Sequence, residues 1–369
     1  MIKLIHRDDL FELNLMQTVG SFSWWYVDLV DFEGNGAVLI WFAGLPFLPL
    51  KSLKKIPKNL SGLTVSVYRN HKLDFYAFQT YPPEFFSVNA DQTQWRVGDS
   101  HLKMSHHRDQ VTLTADLRIS YAGSSEPFVG QLRVKGKSRI TSPVQAAGTT
   151  EDHVWSPMML RGQGNLEYRW AAHNDRIEGT AYFDRNQSER PLTQLGIRDW
   201  HWCRLSFPNE TVVLYFLQDH EGDWQRWAFA ATDKNDFKTI PVIEHKANHA
   251  KKDRYGIRWN QKHEIYLKDR EHSLEIELRS PVDRSPFYMR HLLKAKQGDD
   301  WAYGVYERVL PKKIPQQWMQ PLIAMRINEW HRNKSIWLAL FEGPKRGKVG
   351  RLFKSWTQSS SAVEKGKSL

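Results

Sequence analysis

From about residue 20 to residue 310 the chain alternates short apolar, β-branched and aromatic runs with clusters of Gly, Asn, Asp and Pro. The runs AVLIWF (37–42), LTVSVY (63–68), LDFYAF (73–78), VTLTADLRI (111–119), GQLRVKGKSRI (130–140), NLEYRWAA (165–172), TVVLYFLQ (211–218) and HSLEIELRS (272–280) each predict a strand. In an extended chain successive side chains point to opposite faces, so alternation gives each strand a buried face, and the intervening turn residues end it. FEGNGA (32–37) and FPNET (207–211) predict hairpin turns. Few windows before residue 315 carry a 3.6-residue period, so the pattern predicts a nearly all-β chain of barrels or sandwiches.

One stretch repeats. SWWYVDLVDFEGNGAVLIWF (23–42) is echoed by DWHWCRLSFPNETVVLYF (199–216), with Trp24 and Tyr26 matching Trp200 and Trp202 at an offset of 176. VLIWF matches VVLYF at an offset of 174, which a shorter turn explains. Each half then opens with a Trp-bearing strand and a hairpin, predicting two related β-barrel domains in tandem, 1–190 and 191–312. The remainder, 313–369, reads differently. Met319, Ile323, Ile327 and Trp330 share one helical face in QQWMQPLIAMRINEWHR (316–332), predicting a short C-terminal helix that plugs a barrel or touches a membrane. A basic segment, GPKRGKVGRLFKSW (343–356), and a Ser-rich end with the composition of a disordered tail follow.

Composition narrows the class. Hydrophobic residues make up 41% of 369, enough for sizeable cores, and the 16 Trp suit β structure or an aromatic-lined cavity. Cys203 is the only cysteine, which rules out an intrachain disulfide and a Cys-based metal site. The longest apolar run, residues 37–50, is interrupted by Gly44, Pro46 and Pro49 and falls short of the ~20 residues that span a bilayer. The first residues lack the apolar core of a signal peptide, so a soluble cytoplasmic protein is expected. Of the net charge of +11, a balance of +9 lies from Pro311 onward. A near-neutral remainder argues against a nucleic-acid-binding core and for a local basic tail, either solvated or set against anionic lipid.

The common catalytic signatures are missing: there is no Gly-rich phosphate loop, no H-E-x-x-H and no G-x-S-x-G. His106 and His107 are adjacent and would point to opposite faces of a strand, so they are expected at the surface and no metal site is expected. Two clusters stand out. EDHVWSP (151–157) puts His153 and Trp155 on one face of a strand, and GTAYFDRN (179–186) does the same for Tyr182 and Asp184. If these strands meet in one barrel, an acid, an imidazole, a phenol and an indole line a single cavity. An Asp there is pushed toward its neutral form, because burial penalises charge, and can donate a proton to a weak base. The competing reading is that Asp184 caps a turn and pairs with Arg185 or Arg190. Asp199, before the Trp-His-Trp run, is assigned a structural role.

Four segments carry a family resemblance: SFSWWYVDLVDFEGNGAVLIWFAGLPFLP (21–49), HVWSPMMLRGQGNLEYRW (153–170), GTAYFDRNQSERPLTQLGIRDWHWCRLSFP (179–208) and YGVYERVLPKKIPQQWMQPLIAMRI (303–327). With their His-x-Trp-x-Pro, Gly-x-x-Tyr-x-Asp-x-Asn and Trp-x-Trp elements, they resemble the carotenoid 1,2-hydratase (hydroxyneurosporene synthase) family. The resemblance implies two tandem lipocalin-like (calycin-type) barrels and cofactor-free hydration of the terminal double bond of an acyclic carotenoid. It implies functional roles for His153, Trp155, Tyr182 and Asp184. In such a reaction Asp184 would be the acid, Trp155 and Tyr182 would face the carbocation, and His153 would orient the water and accept its proton. Trp24, Tyr26, Trp200 and Trp202 are expected to contact the apolar polyene or isoprenoid substrate. A substrate that lives in a bilayer calls for peripheral membrane contact, expected at LPFLPLKSLKK (45–55) through Phe47, Leu48, Lys51, Lys54 and Lys55. Two other readings of the same pocket are a non-catalytic carrier of an apolar ligand and a lipocalin-like cyclase or pericyclase.

Overall fold

The computed structural model describes residues 2–4, 20–47, 60–108, 110–121, 124–137, 153–232 and 237–329, and the chain there is nearly all strand. The N-terminal part supplies β1 (Ile2–Leu4), β2 (Phe22–Val30), β3 (Gly36–Ala43), β4 (Ser61–Arg69), β5 (Lys72–Tyr81) and β6 (Phe86–Val88). It continues through β7 (Gln94–Val97), β8 (Ser100–His107), β9 (Gln110–Ile119), β10 (Phe128–Lys137), β11 (His153–Trp170) and β12 (His173–Ser188). The second set is β13 (Ile197–Ser206), β14 (Glu210–Asp219), β15 (Trp224–Thr232), β16 (Lys238–Lys252), β17 (Arg258–Leu267), β18 (Leu274–Leu278), β19 (Asp283–Ser285), β20 (Tyr288–Gln297) and β21 (Asp300–Val309). A last strand, β22, covers Asn328–Glu329.

Two sheets result. The second runs β18–β17–β16–β15–β14–β13–β21–β20–β19, and the additional pairing of β18 with β20 closes eight of its strands into a barrel. The first runs β22–β5–β4–β3–β2–β12–β11–β10–β9–β8–β7–β6, with β1 added in parallel to β11, and curls into a half-barrel. Its end strands β6 and β22 are three and two residues long, too short to zip the sheet shut. The expected hairpins form. Asp31 Oδ1 accepts from the backbone N–H groups of Glu33 and Asn35, each at 2.8 Å, and Gly34 takes the positive φ of +85° that the turn between β2 and β3 requires.

Strand alternation sorts the side chains into three cores. On β2, Trp25, Val27 and Leu29 fill the half-barrel, while Phe22, Trp24, Tyr26 and Val30 face the second sheet. On β13, Trp200 and Trp202 face the first sheet, and Cys203 and Leu205 fill the closed barrel. Central strands buried on both faces explain why segments such as SWWYV read as continuous apolar runs. The repeated hairpins of the sequence meet face to face in the middle core: Trp24 stacks on Trp200 with centroids 6.0 Å apart, and Tyr26 meets Trp202 edge-on at 5.2 Å. The same layer holds a fully buried ion pair, Arg204 Nη2 to Asp28 Oδ1 at 2.5 Å, which ties β13 to β2.

The C-terminal helix is shorter than its pattern predicts. Turns at Pro311–Lys313 and Gln317–Met319 lead into α1 (Gln320–Ala324), after which the chain straightens into β22. The helix stops because Asn328 and Glu329 pair in parallel with Gln79 and Thr80 of β5, and because Arg326 turns in to Asp283. Ile323 and Ile327 still share the inward face, whereas Trp330, the basic segment and the tail lie outside the described residues. Among the described residues no helix is long and apolar enough to cross a membrane.

Candidate active site

Between the two sheets lies a cavity enclosing about 1060 Å³ of empty space, including its opening. It sits in the middle core rather than inside a barrel, walled by β2 to β5, β12, β13, β14, β19, β20, β21 and the α1 segment. Its lining is mostly apolar and aromatic, with Asp184 and Asn186 at one place on the wall and Asp283, Arg290, Glu307 and Arg326 at another.

The β period places the acid. Tyr182, Asp184 and Asn186 project from β12 toward the second sheet, while Ala181 and Phe183 fill the half-barrel core. Antiparallel register sets Asp184 opposite Tyr26 on β2, and Asn186 between Trp24 on β2 and Trp155 on β11. Asp184 Oδ2 accepts from the Tyr182 hydroxyl at 2.6 Å and the Trp155 indole N–H at 2.7 Å. The indole N–H also reaches the Tyr182 oxygen at 3.1 Å. Asp184 Oδ1 accepts from Asn186 Nδ2 at 3.1 Å.

Burial dominates the electrostatics here. It pushes the Asp184 pKa from 3.8 to about 7 even though the hydrogen bonds from Tyr182, Trp155 and Asn186 favour the carboxylate, and the charge of Glu307 adds to the rise. Tyr182 is held well above its ordinary range, first by burial and then by the charge of Asp184, so it stays a neutral donor. His153 is lowered to about 3 by burial, against the hydrogen bond to Asn186, and is neutral at working pH. Its Nε2 lies 3.2 Å from Asn186 Oδ1 and 3.0 Å from the Tyr215 hydroxyl. With the Asn186 amide nitrogen on Asp184, its oxygen must accept, so the network assigns the imidazole proton to Nε2. His153 thereby fixes which end of Asn186 meets the acid.

A buried carboxyl whose pKa is raised toward neutrality, set on an aromatic wall, has the chemistry to give a proton to an apolar ligand. Residues 39–335, most of the chain, match the family model for carotenoid hydratase CrtC. The chain belongs to the carotenoid hydratase family. A relative from Thiocapsa roseopersicina, described as acyclic carotenoid 1,2-hydratase, is 23% identical over 339 residues, spanning 87% of this chain and 76% of that one. The solved structure of CghA with Sch210972 covers 79% of this chain and 88% of its own, at 10% identity and a TM-score of 0.52, a likeness of fold. Kievitone hydratase from Nectria haematococca aligns over 82% of this chain and 93% of its own, at 7% identity and a TM-score of 0.43. As a member of the carotenoid hydratase family, this chain is a hydro-lyase.

Within this carotenoid hydratase fold the four residues singled out by the sequence come together, but not in one plane of access. Asp184 reaches the cavity; Trp155 and Tyr182, both 0% exposed, stand behind it as donors to its Oδ2. His153 is shut off from the cavity by Asn186, Tyr215 and the edge of Trp200, 4.9 Å away between centroids. Trp24, Tyr26, Trp200 and Trp202, the residues expected to contact substrate, all line the cavity, and Tyr215 and Tyr288 are among the further rings on its wall. Phe47 also lines the cavity, 5.2 Å from Phe287, while Leu48, Lys51, Lys54 and Lys55 lie outside the described residues. His106 and His107 are exposed at the end of β8, and Asp199 pairs with Arg308 away from the cavity. Sequence reasoning missed Asn186, Tyr215, Arg290 and Glu307. A signal existed for Glu307, since alternation in YGVYERVL puts it on the same face as Val305 and Val309, a lone charge in an apolar row.

Proposed function

We propose that this protein adds water across a terminal C=C bond of an acyclic carotenoid or related isoprenoid, with Asp184 as the acid. The observation that carries the reading is a fully buried carboxyl with a pKa of about 7 opening onto an aromatic cavity in a carotenoid hydratase family member. Neutral Asp184 transfers its proton to the less substituted alkene carbon, leaving a tertiary carbocation and a carboxylate. The nascent charge is accepted by the hydrogen bonds from Tyr182, Trp155 and Asn186 already aimed at Asp184. The electron-rich faces of the wall rings stabilise the cation, an attraction of about 2 kcal/mol when desolvated. Water adds to the cation, and loss of a proton from oxygen gives the tertiary alcohol. His153 acts through Asn186 as a positioning residue.

The substrate class rests on the family and on the Thiocapsa relative's description. A bilayer-soluble polyene favours peripheral contact on the inner face of the membrane, made by the basic run around Lys51, Lys54 and Lys55 and by the basic C-terminal segment. Salt-releasable pelleting with anionic liposomes is expected, and equal binding to neutral vesicles refutes the electrostatic part. The decisive assay supplies lycopene or neurosporene in liposomes and looks for products heavier by one water. An Asp184→Asn variant with undiminished turnover refutes the acid assignment.

A further inference from the structure

We infer that the Arg290–Glu307 pair, with the hydroxyls of Tyr26 and Tyr288, forms the site that holds the attacking water and receives its proton. This inference rests on the reading that Asp184 protonates the alkene.

Hydration needs a water beside an otherwise apolar substrate, and besides the Asp184–Asn186 pair the cavity has a second built polar corner. Glu307 on β21 stands opposite Trp202 of β13 on one side and Arg290 of β20 on the other. Arg290, buried, donates from Nε to Glu307 Oε1 at 2.7 Å and from Nη1 to the Tyr68 hydroxyl at 2.6 Å. Glu307 Oε2 has no hydrogen bond among the described residues, although the side chain lines the cavity. The hydroxyls of Tyr26, Tyr288 and Ser285 are buried in the same cavity and also lack partners among the described residues. An unsatisfied buried hydroxyl is unfavourable by about 1–3 kcal/mol, and a hydrocarbon cannot satisfy it. A water can, where two to four polar groups converge.

Tyr26 links this corner to the acid. It is the cross-strand partner of Asp184 on β2, a register that puts Cβ atoms about 4.5–5.5 Å apart. Its ring lies 5.2 Å from Trp202, the neighbour of Glu307. Burial holds the Tyr26 hydroxyl neutral, with the charge of Glu307 the next cause, so it can donate to or accept from water. His153, the other candidate for this task, does not reach the cavity wall.

The proton count closes. Asp184 gives a proton to carbon, a lone pair of the water forms the C–O bond, and the oxonium proton passes to the Glu307 carboxylate. That proton returns through water to Asp184, so the net change is alkene plus water to alcohol. An oxonium is a strong acid, so even a carboxylate that accepts from Arg290 is basic enough; its task is placement.

The test runs the reaction in D2O with lycopene in liposomes and follows both alcohol formation and deuterium in recovered or isomerised alkene. Tyr288→Phe, which removes only an unpartnered hydroxyl, is expected to lower alcohol formation about 10-fold, and Glu307→Gln about 100-fold, within the usual range for proton-transfer groups. Deuterium exchange persists in both, because the cation still forms and loses a proton to return to alkene. Alcohol and exchange falling together in Tyr288→Phe, or alcohol unchanged in both variants, overturns the inference. Asp184→Asn is expected to lose both signals; if it keeps exchange, the acid reading fails instead. Independently of any substrate, a crystal structure is expected to show an ordered water bonded to Glu307 and to the Tyr26 or Tyr288 hydroxyl. A dry corner overturns the site.

Discussion

Replacing Asp184 with Asn separates the acid's chemistry from its burden on the fold. Burial raises its pKa from 3.8 to about 7. The folded state therefore binds this proton more tightly than the unfolded chain does. The resulting stabilisation is complete below about pH 3.8 and is lost as pH rises through about 7. At 1.36 kcal/mol per pKa unit, the full loss is about 4 kcal/mol, of which about 3 kcal/mol falls between pH 5 and pH 8. An amide does not titrate, so Asp184→Asn escapes that loss. Its carbonyl can still accept from Tyr182 and Trp155, but its NH2 meets the NH2 of Asn186. That mismatch is unfavourable by about 1–3 kcal/mol, independently of pH. Urea unfolding of both proteins at pH 5, 6.5 and 8 should show the variant gaining about 3 kcal/mol on the parent across the range. Its hydration rate should meanwhile fall by about 10²–10⁴. Stability curves that run parallel from pH 5 to pH 8 refute the argument, because they mean the carboxyl is not held near neutrality by burial.

Three other perturbations probe the surroundings. Trp155→Phe keeps most of the ring but removes a donor that favours the carboxylate, so the alkaline limb of the pH–rate profile should move to higher pH; an unmoved limb contradicts the hydrogen-bond geometry. Asp28→Ala leaves Arg204 charged between the sheets and should lower stability by about 3–5 kcal/mol, whereas the pair Asp28→Leu with Arg204→Met recovers most of it in urea titrations. Gly304→Ala places a Cβ against the Arg204 carbonyl where β21 meets β13, so the melting temperature should drop with a loss of about 1–3 kcal/mol or more, and an unchanged Tm shows that the close approach is not real.

Local pattern made much of this protein legible. A period of two is a property of the strand itself, so the alternations at 153–155 and 182–184 placed His153 with Trp155 and Tyr182 with Asp184 without any knowledge of the fold. The hairpins followed from Asp, Asn and Gly at fixed spacings. The repeat matched Trp24 and Tyr26 with Trp200 and Trp202, the residues that meet across the middle core.

What lies across a face is a different kind of fact. On β2 and β12 both faces are buried, so apolar content could not say which face filled the half-barrel and which met the second sheet. The sequence reading therefore put the acid inside a barrel, and packing put it between the two sheets. For the same reason only the tertiary structure separated Asp184, on the cavity wall, from Trp155 and Tyr182 behind it. Glu307 and Arg290 join the same wall from strands more than a hundred residues away in sequence, brought in by the docking of the closed barrel. The α1 helix was cut short by a pairing with β5, another distant partner. The sequence by itself determined which side chains share a face, because that depends on backbone geometry over a few residues. The protonation state of Asp184 depends on how much water the remaining strands exclude, and only the assembled sheets decide that.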